Sequence, residues 1–488
     1  MFFIEITLLV LYGLCLAFVL GFSLTQFQLT RLARRAYRRG LPPEPAPPLV
    51  WPSLTVQLPL YNEVFVAERL IDACAALDYP TDRLHIQILD DSTDETLELV
   101  AARVAHHRAQ GLRIDQVRRP DRQGFKAGAL RHGLEQTDGE FIAIFDADFV
   151  PKPDFLRRTV PYFHEAGLGV VQTRWGHLNE EYSLLTELQA FGLNAHFYVE
   201  QVGRTAGGHF INFNGTGGVW RRTCIEDAGG WHTDTLTEDL DLSYRAQLRG
   251  WRFHYLPHVV APAELPATLD ALKSQQFRWT KGAAETARKH LGAVLRSSET
   301  LATKLHATFH LLNSSVFVAI LLMALVSVPL VFVRAHLPEL KPLLRVASVF
   351  LLAFVPLIYY YFTAWRLDKP AASAWRFVPE FSLFLSMSMG LTLHNARAVL
   401  LGYSGQQSAF IRTPKLGLVR RYGSWQGRRY RTGDLLDGLT FTEGLLTLYF
   451  AFGTIAGLYF NDWGLIPFHL MLTIGYGLIF MYSVRHRA

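Results

Sequence analysis

The stretch Phe141–Pro151, FIAIFDADFVP, decides the fold. Its first five residues, Phe141–Phe145, are apolar without alternation, which is typical of a strand buried on both faces inside a parallel sheet. Asp146 and Asp148 follow two positions apart, so an extended backbone would turn both carboxylates to one side. We interpret the stretch as the carboxyl end of a central strand in an α/β domain, the end at which such sheets bind ligands.

Two carboxylates at a strand end predict a metal site. Hard oxygen donors suit Mg²⁺ or Mn²⁺, and either ion would bridge a diphosphate to Asp146 and Asp148. A polar turn after a core strand is the structural alternative. The remainder of the chain favours the metal interpretation.

Strands alternate with helices before this stretch, which predicts a doubly wound, mostly parallel sheet. The predicted strands are Leu54–Leu58, His85–Leu89 and Ile114–Val117, and the predicted helices are Phe65–Leu77, Glu95–Ala109 and one that ends near Leu134. Three strands of this half end in acidic or polar clusters, at Tyr61–Glu63, Asp90–Asp94 and Asp146–Asp148. A single nucleoside diphosphate site at one sheet edge explains all three clusters, and ordinary loop polarity is the alternative.

The second half of the domain is rich in glycine and aromatic residues, as in FNGTGGVW at Phe213–Trp220. The triplet TED, Thr237–Asp239, precedes a helical pattern over Leu240–Leu248. With Thr237 as N-cap, its carboxylates would lie at the positive helix end, so a well-capped helix is the structural alternative here. QQFRW, Gln275–Trp279, has no such structural explanation, because an arginine suits a diphosphate and a tryptophan suits a sugar ring.

The composition places part of the chain in a membrane. Of 488 residues, 50% are hydrophobic, and the mean hydropathy is +0.14. Five spans are predicted, at Ile6–Thr30, Leu311–Val333, Val346–Trp365, Leu445–Phe460 and Trp463–Val484. Phe381–Leu401 contains His394, Asn395 and Arg397, so it is predicted to be an interfacial helix.

The net charge of +6 does not indicate nucleic-acid binding, because the basic residues cluster beside apolar runs. Arg31–Arg39 directly follows the first predicted span, which places that end in the cytosol by the positive-inside rule. The predicted outer loop Arg334–Arg345 breaks this rule with three basic residues. Cys15, Cys74 and Cys224 form neither a disulfide framework nor a metal-ligand spacing, which fits a reducing cytosolic face.

The motifs, taken together, resemble a known family. DDSTD, KAGAL (Lys126–Leu130), FDADF, TED and QQFRW stand in the order and spacing of the processive family 2 glycosyltransferases: the cellulose, chitin and hyaluronan synthases. The sequence between these motifs is most similar to that of the cellulose synthase-like A and C proteins, which make mannan, glucomannan and xyloglucan backbones. The resemblance spans about Val56 to Gly282 and extends to FIRTPK, Phe410–Lys415, which fits the family's gating-loop pattern F-x-x-T-x-K.

The resemblance implies a GT-A type domain within a multi-span α-helical membrane protein. The predicted parts are a transmembrane helix (1–30), a basic, proline-rich linker (31–52), a cytosolic catalytic domain ending in interfacial helices (53–300), and a membrane region (301–488). That last region would hold about four spans, the interfacial helix at 381–401 and a gating-type loop at 402–431. We expect no stretch of these 488 residues to correspond to the family's cyclic-di-nucleotide receptor domain.

The resemblance also implies a reaction: inverting transfer of hexose from UDP-glucose or GDP-mannose into a β-1,4-linked polysaccharide that passes outward through the spans. The general base would be Asp239, which we expect to be ionised at neutral pH because it lies at a helix N-terminus. The implied donor and metal ligands are Tyr61, Glu63, Asp90, Asp91, Lys126, Asp146, Asp148, Gln275, Arg278, Thr413 and Lys415. The implied acceptor ligands are Thr237, Glu238 and Trp279.

The expected partners are the nucleotide sugar, the growing polysaccharide, the lipid bilayer and envelope export proteins, with no nucleic acid. The expected location is the plasma (inner) membrane or a Golgi-type membrane. Two alternatives stay open: a non-processive transferase that makes a glycolipid, and a membrane subunit with a decayed enzyme domain. No residue in the sequence separates a uracil pocket from a guanine pocket.

Overall fold

The computed structural model describes residues 2–336, 353–419 and 437–485. These ranges contain one seven-stranded sheet. Its strands are β1 Leu54–Leu60, β2 Leu84–Asp90, β3 Ile114–Val117, β4 Phe141–Ile144, β5 Leu168–His177, β6 Gly218–Arg221 and β7 Arg252–Ala263.

The strand order is β3-β2-β1-β4-β6-β5-β7. Strands β3, β2, β1 and β4 are parallel, β6 is antiparallel to both β4 and β5, and β7 is parallel to β5. The expected mostly parallel α/β sheet is therefore confirmed, with β6 as the exception. Strand β4 lies at the centre with all four residues buried, as its unbroken apolar run predicts.

Helices surround this sheet and continue beyond it. A π-helical turn, His196–Glu200, separates the sixth and seventh helices. The α-helices are α1 Phe2–Arg39, α2 Ala67–Ala75, α3 Thr96–Ala109, α4 Phe125–Glu135, α5 Phe155–Thr159, α6 Leu184–Ala195, α7 Gln201–Ala206, α8 Arg222–Asp227, α9 Glu238–Leu248, α10 Leu269–Arg296, α11 Leu301–Leu311, α12 Ser315–His336, α13 Phe354–Asp368, α14 Phe377–Gly390, α15 Thr392–Ser404, α16 Asp437–Tyr459 and α17 Ile466–Arg485.

Four helices in the described part of the chain are long and apolar enough to cross a membrane: Glu5–Arg39, Ser315–His336, Gly438–Tyr459 and Ile466–Val484. The second begins later than the predicted Leu311, because α11, capped by the Thr300 side chain, ends at that residue. The predicted span Val346–Trp365 lies partly outside the described residues, and its described part belongs to the 15-residue helix α13. The predicted loops at 334–345 and 402–431 also extend beyond the described ranges.

The segment expected to form one interfacial helix, Phe381–Leu401, is two helices that meet at Leu391. Helix α14 crosses α17 closely, since a Cβ on Gly390 would lie 2.3 Å from the Gly475 oxygen. Helix α15 instead packs on α10, where His394 Nε2 is 2.8 Å from the Lys273 oxygen. Because of the break at Leu391, one half of the segment packs against α17 and the other half against α10, which a single straight helix could not do.

Helix α10 joins the sheet domain to the apolar helices. Its first turn packs Leu269 and Leu272 against Met387 of α14 and Ile479 of α17. Its later residues Ala287 and Val294 pack against Tyr244 of α9. The QQFRW motif lies on this helix, between the two contact regions.

Candidate active site

One cavity lies at the carboxyl ends of the parallel strands. It brings together residues that follow β1, β2 and β4, the start of α4, the TED triplet, the QQFRW motif and the FIRTPK motif. All of the predicted site residues line this cavity except Asp90. A larger groove between residues 177–191 and 368–383 is lined by none of them.

Asp90 is held inside the fold. Its Oδ1 accepts the Ser92 N–H at 2.9 Å, and its Oδ2 accepts the Gln116 side-chain amide at 2.7 Å. Asp91 lines the cavity and pairs with Arg119, whose Nε and Nη2 donate at 2.8 and 2.6 Å. Asp90 therefore stabilises the turn after β2. Of the two neighbouring carboxylates, only Asp91 lines the cavity.

Lys126 connects two walls of the cavity. Its ammonium is 2.6 Å from Asp146 Oδ1 and donates to the Gly215 oxygen at 2.9 Å. Burial opposes ionisation of Asp146, but the ammonium groups of Lys126 and Lys415 outweigh it and hold the pKa of this carboxyl below its usual value. Asp146 is therefore a fixed negative charge.

The second carboxylate of FDADF has a matching cation. Lys415 Nζ donates directly to Asp148 Oδ1. In the described contacts each of Asp146 and Asp148 uses Oδ1 for its lysine, so Oδ2 of each is available to a ligand. A buried carboxylate, Asp148, and a partly buried one, Asp146, both line the cavity, and such a pair fits a hard divalent cation.

Residues 405–419, which we call the closing segment, cover one side of the cavity. Arg278 Nη2 donates to Thr413 Oγ1 at 2.8 Å, and the Arg278 guanidinium lies 4.7 Å from the centroid of the Phe410 ring. Arg412 forms an ion pair with Glu63 at 2.7 Å. Because burial outweighs the nearby cations Lys415 and Arg412, the pKa of Glu63 rises to about 7.

Sequence reasoning missed two arginines of the cavity. Arg412 lies within the FIRTPK motif, and Arg122 lies in the basic, glycine-rich stretch before KAGAL. The Arg122 guanidinium lies 3.4 Å from the centroid of the Tyr61 ring, so one face of this ring is covered by the arginine. A count of basic residues within the motif-bearing loops would have marked both arginines as candidates.

The TED triplet begins α9 without the expected side-chain cap. Thr237 occupies the N-cap position, but its side chain makes no capping hydrogen bond, and its Oγ1 lies 3.2 Å from Thr286 Oγ1 of α10. A Cβ on Gly282 would lie 2.5 Å from Thr237 Cγ2. Close packing against α10 therefore takes the threonine side chain away from the helix end.

Asp239 is not the plainly ionised carboxylate that its helix position predicted. Burial, and next the neighbouring Glu238 charge, raise its pKa to about 7, against the lowering effects of Lys126 and of the backbone N–H groups at the helix start. That expectation was wrong because loss of water inside the cavity outweighs the helix dipole. Gly215, with φ +78°, brings its backbone close to this group, since a Cβ there would lie 3.1 Å from Asp239 Oδ2.

Large parts of this chain match known proteins. Residues 52–282 match the family described as "Glycosyltransferase like family 2". The chain is 33% identical over 424 residues to glucomannan 4-beta-mannosyltransferase 9 of Arabidopsis thaliana, covering 82% of this chain and 75% of that protein. It is 40% identical over 291 residues to glucomannan 4-beta-mannosyltransferase 1 of Oryza sativa subsp. japonica, covering 58% of this chain and 56% of the relative.

Among solved structures, a mannosyltransferase from Pyrobaculum calidifontis in complex with GDP-Man and Mn²⁺ shares the fold. Its TM-score is 0.53 at 21% identity, covering 80% of this chain and all of that one. The present chain spans less than two thirds of the length of several curated relatives, as with the 56% of the rice protein. The matched family and the identity to the Arabidopsis protein lead to one conclusion: this chain belongs to glycosyltransferase family 2, in the cellulose synthase-like group that contains the relatives named glucomannan 4-beta-mannosyltransferases.

Proposed function

We propose that this protein is a membrane-embedded, inverting hexosyltransferase that extends a β-1,4-linked polysaccharide from a nucleotide sugar. One observation carries the proposal: cations from three distant parts of the chain, Lys126, Arg278 and Lys415, meet the strand-end carboxylates in one cavity that also holds Asp239. Such a set suits a diphosphate leaving group and a base. A decayed subunit would have no need to keep the whole set.

The donor diphosphate would bind among these cations. Lys126 and Lys415 are paired with Asp146 and Asp148, and Arg278 donates to Thr413. Phosphate oxygens would take over part of these contacts, since charge-assisted hydrogen bonds to phosphate are strong. Ammonium and guanidinium groups fixed in place before the reaction stabilise the negative charge that develops on the leaving group.

Asp146 and Asp148 would hold Mg²⁺ or Mn²⁺. The bound ion would neutralise charge on the departing nucleoside diphosphate. The Pyrobaculum mannosyltransferase contains Mn²⁺ together with GDP-Man, which supports a divalent ion for the present chain as well. Lys126 and Lys415 would then orient the same two carboxylates from their other sides.

Asp239 would take the proton from the acceptor hydroxyl. Inverting transfer needs one base on the face opposite the leaving group and no covalent intermediate. A carboxylate with a pKa of about 7 suits this task, because it can both accept the proton and release it near neutral pH. Glu238, Thr237 and Trp279 line the same cavity and would bind the acceptor sugar.

A second cavity supports a polymer product over a glycolipid. It shares Gln275 and Trp279 with the first cavity and continues between α6, α10, α14 and α15. Asn395 lines it, and neither polar atom of the Asn395 amide has a hydrogen-bond partner among the described residues. A chain of sugar hydroxyls would satisfy this amide, whereas an alkyl chain would leave it unpaired.

For the donor we propose GDP-mannose, with UDP-glucose as the second candidate, because the relatives are named mannosyltransferases. The four long apolar helices support an integral membrane protein. We place the catalytic domain on the cytosolic side of an inner, plasma or Golgi-type membrane, where nucleotide sugars would reach it. Envelope proteins that receive the polymer would be its export partners.

The test is incubation of purified membranes with labelled GDP-mannose and with labelled UDP-glucose, followed by linkage analysis. We expect a long 4-linked mannan from GDP-mannose. A glucan made only from UDP-glucose would show that UDP-glucose is the donor, and it would leave the proposed type of reaction unchanged. A small, lipid-soluble product would establish the glycolipid alternative, and no incorporation from either donor would overturn the proposal.

A further inference from the structure

Helix α10 contains two almost completely buried lysines, one on each side of the QQFRW motif. The side chains of Lys273 and Lys281 are 1% and 0% exposed. A buried ammonium group is costly unless it is paired and hydrogen-bonded. Lys273 is paired with Glu443 of α16, at 2.7 Å, and donates to Ser483 of α17. It therefore fastens α10 to the apolar helices.

Lys281 makes a different connection. Its Nζ donates to the Gln406 oxygen at 2.6 Å and to Ser408 Oγ, both near the start of the closing segment. The same ammonium lies 3.5 Å from Glu285 Oε1, one turn further along α10. Lys281 thus holds the base of the segment whose other residues cover the donor cavity.

Glu285 continues this connection to the catalytic triplet. Its Oε2 accepts the Leu236 N–H at 2.8 Å. Leu236 immediately precedes Thr237, and Asp239 follows three residues after Leu236. One buried ion pair therefore joins the start of the closing segment to the backbone that carries the proposed base.

Two glycines allow close approaches of backbone beside the residues of this ion pair. A Cβ on Gly402 would lie 2.6 Å from the Lys281 oxygen, and a Cβ on Gly282 would lie 2.7 Å from Thr237 Oγ1. The end of α15, the middle of α10 and the TED triplet are thus in direct contact. A displacement of the closing segment at its base has to act on Lys281 and, through Glu285, on the residues before Asp239.

We infer that Lys281 and Glu285 are positioning residues that couple the closing segment to the TED triplet, so that enclosure of the donor and placement of the base occur together. The inference rests on the proposed function, since it assigns these two segments to donor enclosure and proton transfer. Neither residue lines the cavity. Each acts through the segment that it holds.

The first test measures the closing segment without any turnover. Ile411 is 46% exposed and belongs to this segment, whereas the native cysteines are all buried. An Ile411→Cys protein in membranes is labelled with a maleimide, alone and with GDP or UDP in the presence of Mn²⁺. Lys281→Met is expected to speed labelling in the absence of nucleotide on the order of tenfold, the usual size of such couplings, and Ser408→Ala is expected to speed it less.

A matched control distinguishes coupling from general damage. Arg296→Met removes an exposed cation from the end of the same helix, and the labelling rate should stay at the parent value. Ser408→Ala keeps the inference testable if Lys281→Met fails to fold. If neither GDP nor UDP protects the introduced thiol when Lys281 is intact, the proposed nucleotide-sugar donor is wrong. The labelling rate without nucleotide still tests the coupling in that case.

The second test measures kcat and donor KM in Lys281→Met, Glu285→Gln and the double variant. Glu285→Gln keeps an acceptor for the Leu236 N–H but removes the charge. We expect both singles to raise donor KM and lower kcat, and the double variant to be no worse than Lys281→Met, because both residues act in one connection. Purely structural damage would lower the amount of active enzyme and leave donor KM unchanged. Unchanged donor KM, additive losses or an unchanged labelling rate would overturn the inference.

Discussion

Asp146 and Asp239 line the same cavity and both are influenced by Lys126, yet their pKa values shift in opposite directions. Burial acts on both, but the 2.6 Å contact with Lys126 and the nearby Lys415 keep the pKa of Asp146 low. Asp239 has Glu238 beside it, and its pKa rises to about 7. The difference separates two tasks: one carboxylate stays charged to hold cations, and the other can exchange a proton.

The largest expected effect comes from the charged pair at the strand end. Asp146→Asn and Asp148→Asn should each abolish detectable transfer, because an amide can neither hold the divalent ion nor balance the charge of the partly buried lysines Lys126 and Lys415. Transfer of labelled sugar in membranes measures this, and EDTA should reproduce the loss. Asp154→Asn makes the same change at an exposed position shortly after the strand and should leave transfer intact. Full activity in chelator would remove the metal from the mechanism.

The next effect concerns the proton acceptor. Asp239→Asn should lower kcat by a factor of roughly a hundred to ten thousand, the usual range for loss of a general base. Initial rates at saturating donor measure it. Trp279→Ala should differ, impairing acceptor engagement and giving shorter polymer. If Asp239→Asn works at near the parent rate, the base is another residue, and Glu238 is the first candidate.

A smaller and more diagnostic effect is expected in the pH profile. Since the ionised form of Asp239 accepts the proton, kcat should fall about tenfold per unit below pH 7. Glu238→Gln removes the neighbouring negative charge, so the pKa of Asp239 should fall and this limb should move to lower pH. Glu63 also has a pKa of about 7. If the acidic limb of the kcat profile moves in Glu63→Gln and not in Glu238→Gln, the group that titrates in this limb is Glu63.

The smallest effect should come from a residue found only in the structure. Arg412→Met breaks the ion pair with Glu63 and removes one cation from the closing segment. Donor KM should rise by a factor between about three and ten, which corresponds to the net contribution of one ordinary hydrogen bond, while kcat stays within about twofold. A large fall in kcat with unchanged KM would give Arg412 a role in the chemical step instead.

The sequence predicted the centre of the domain well and its details less well. The run Phe141–Phe145 identified β4, because an unbroken apolar run is enough by itself to indicate a strand that is buried on both faces. For Asp90 and Asp91, the pattern could not tell which carboxylate faces the cavity, since this depends on the turn held by Ser92 and Gln116.

Long-range contacts account for the remaining differences. Arg412 meets Glu63 although they lie far apart in the chain, so no local pattern predicts the ion pair. Thr237 fails to cap α9 because α10, more than 30 residues later, takes its side chain. The pKa of Asp239 depends on burial, which three separate segments create together.

The separation of donor binding from proton transfer is tested most directly by measuring nucleotide-sugar binding and polymer synthesis in parallel on Asp146→Asn and Asp239→Asn. Asp146→Asn should lose both donor binding and synthesis. Asp239→Asn should bind the donor within about twofold of the parent, because the amide keeps the shape of the carboxyl group, and should lose synthesis by a factor of roughly a hundred or more. Equal loss of donor binding in both variants, or near-parental synthesis by Asp239→Asn, would contradict the separation.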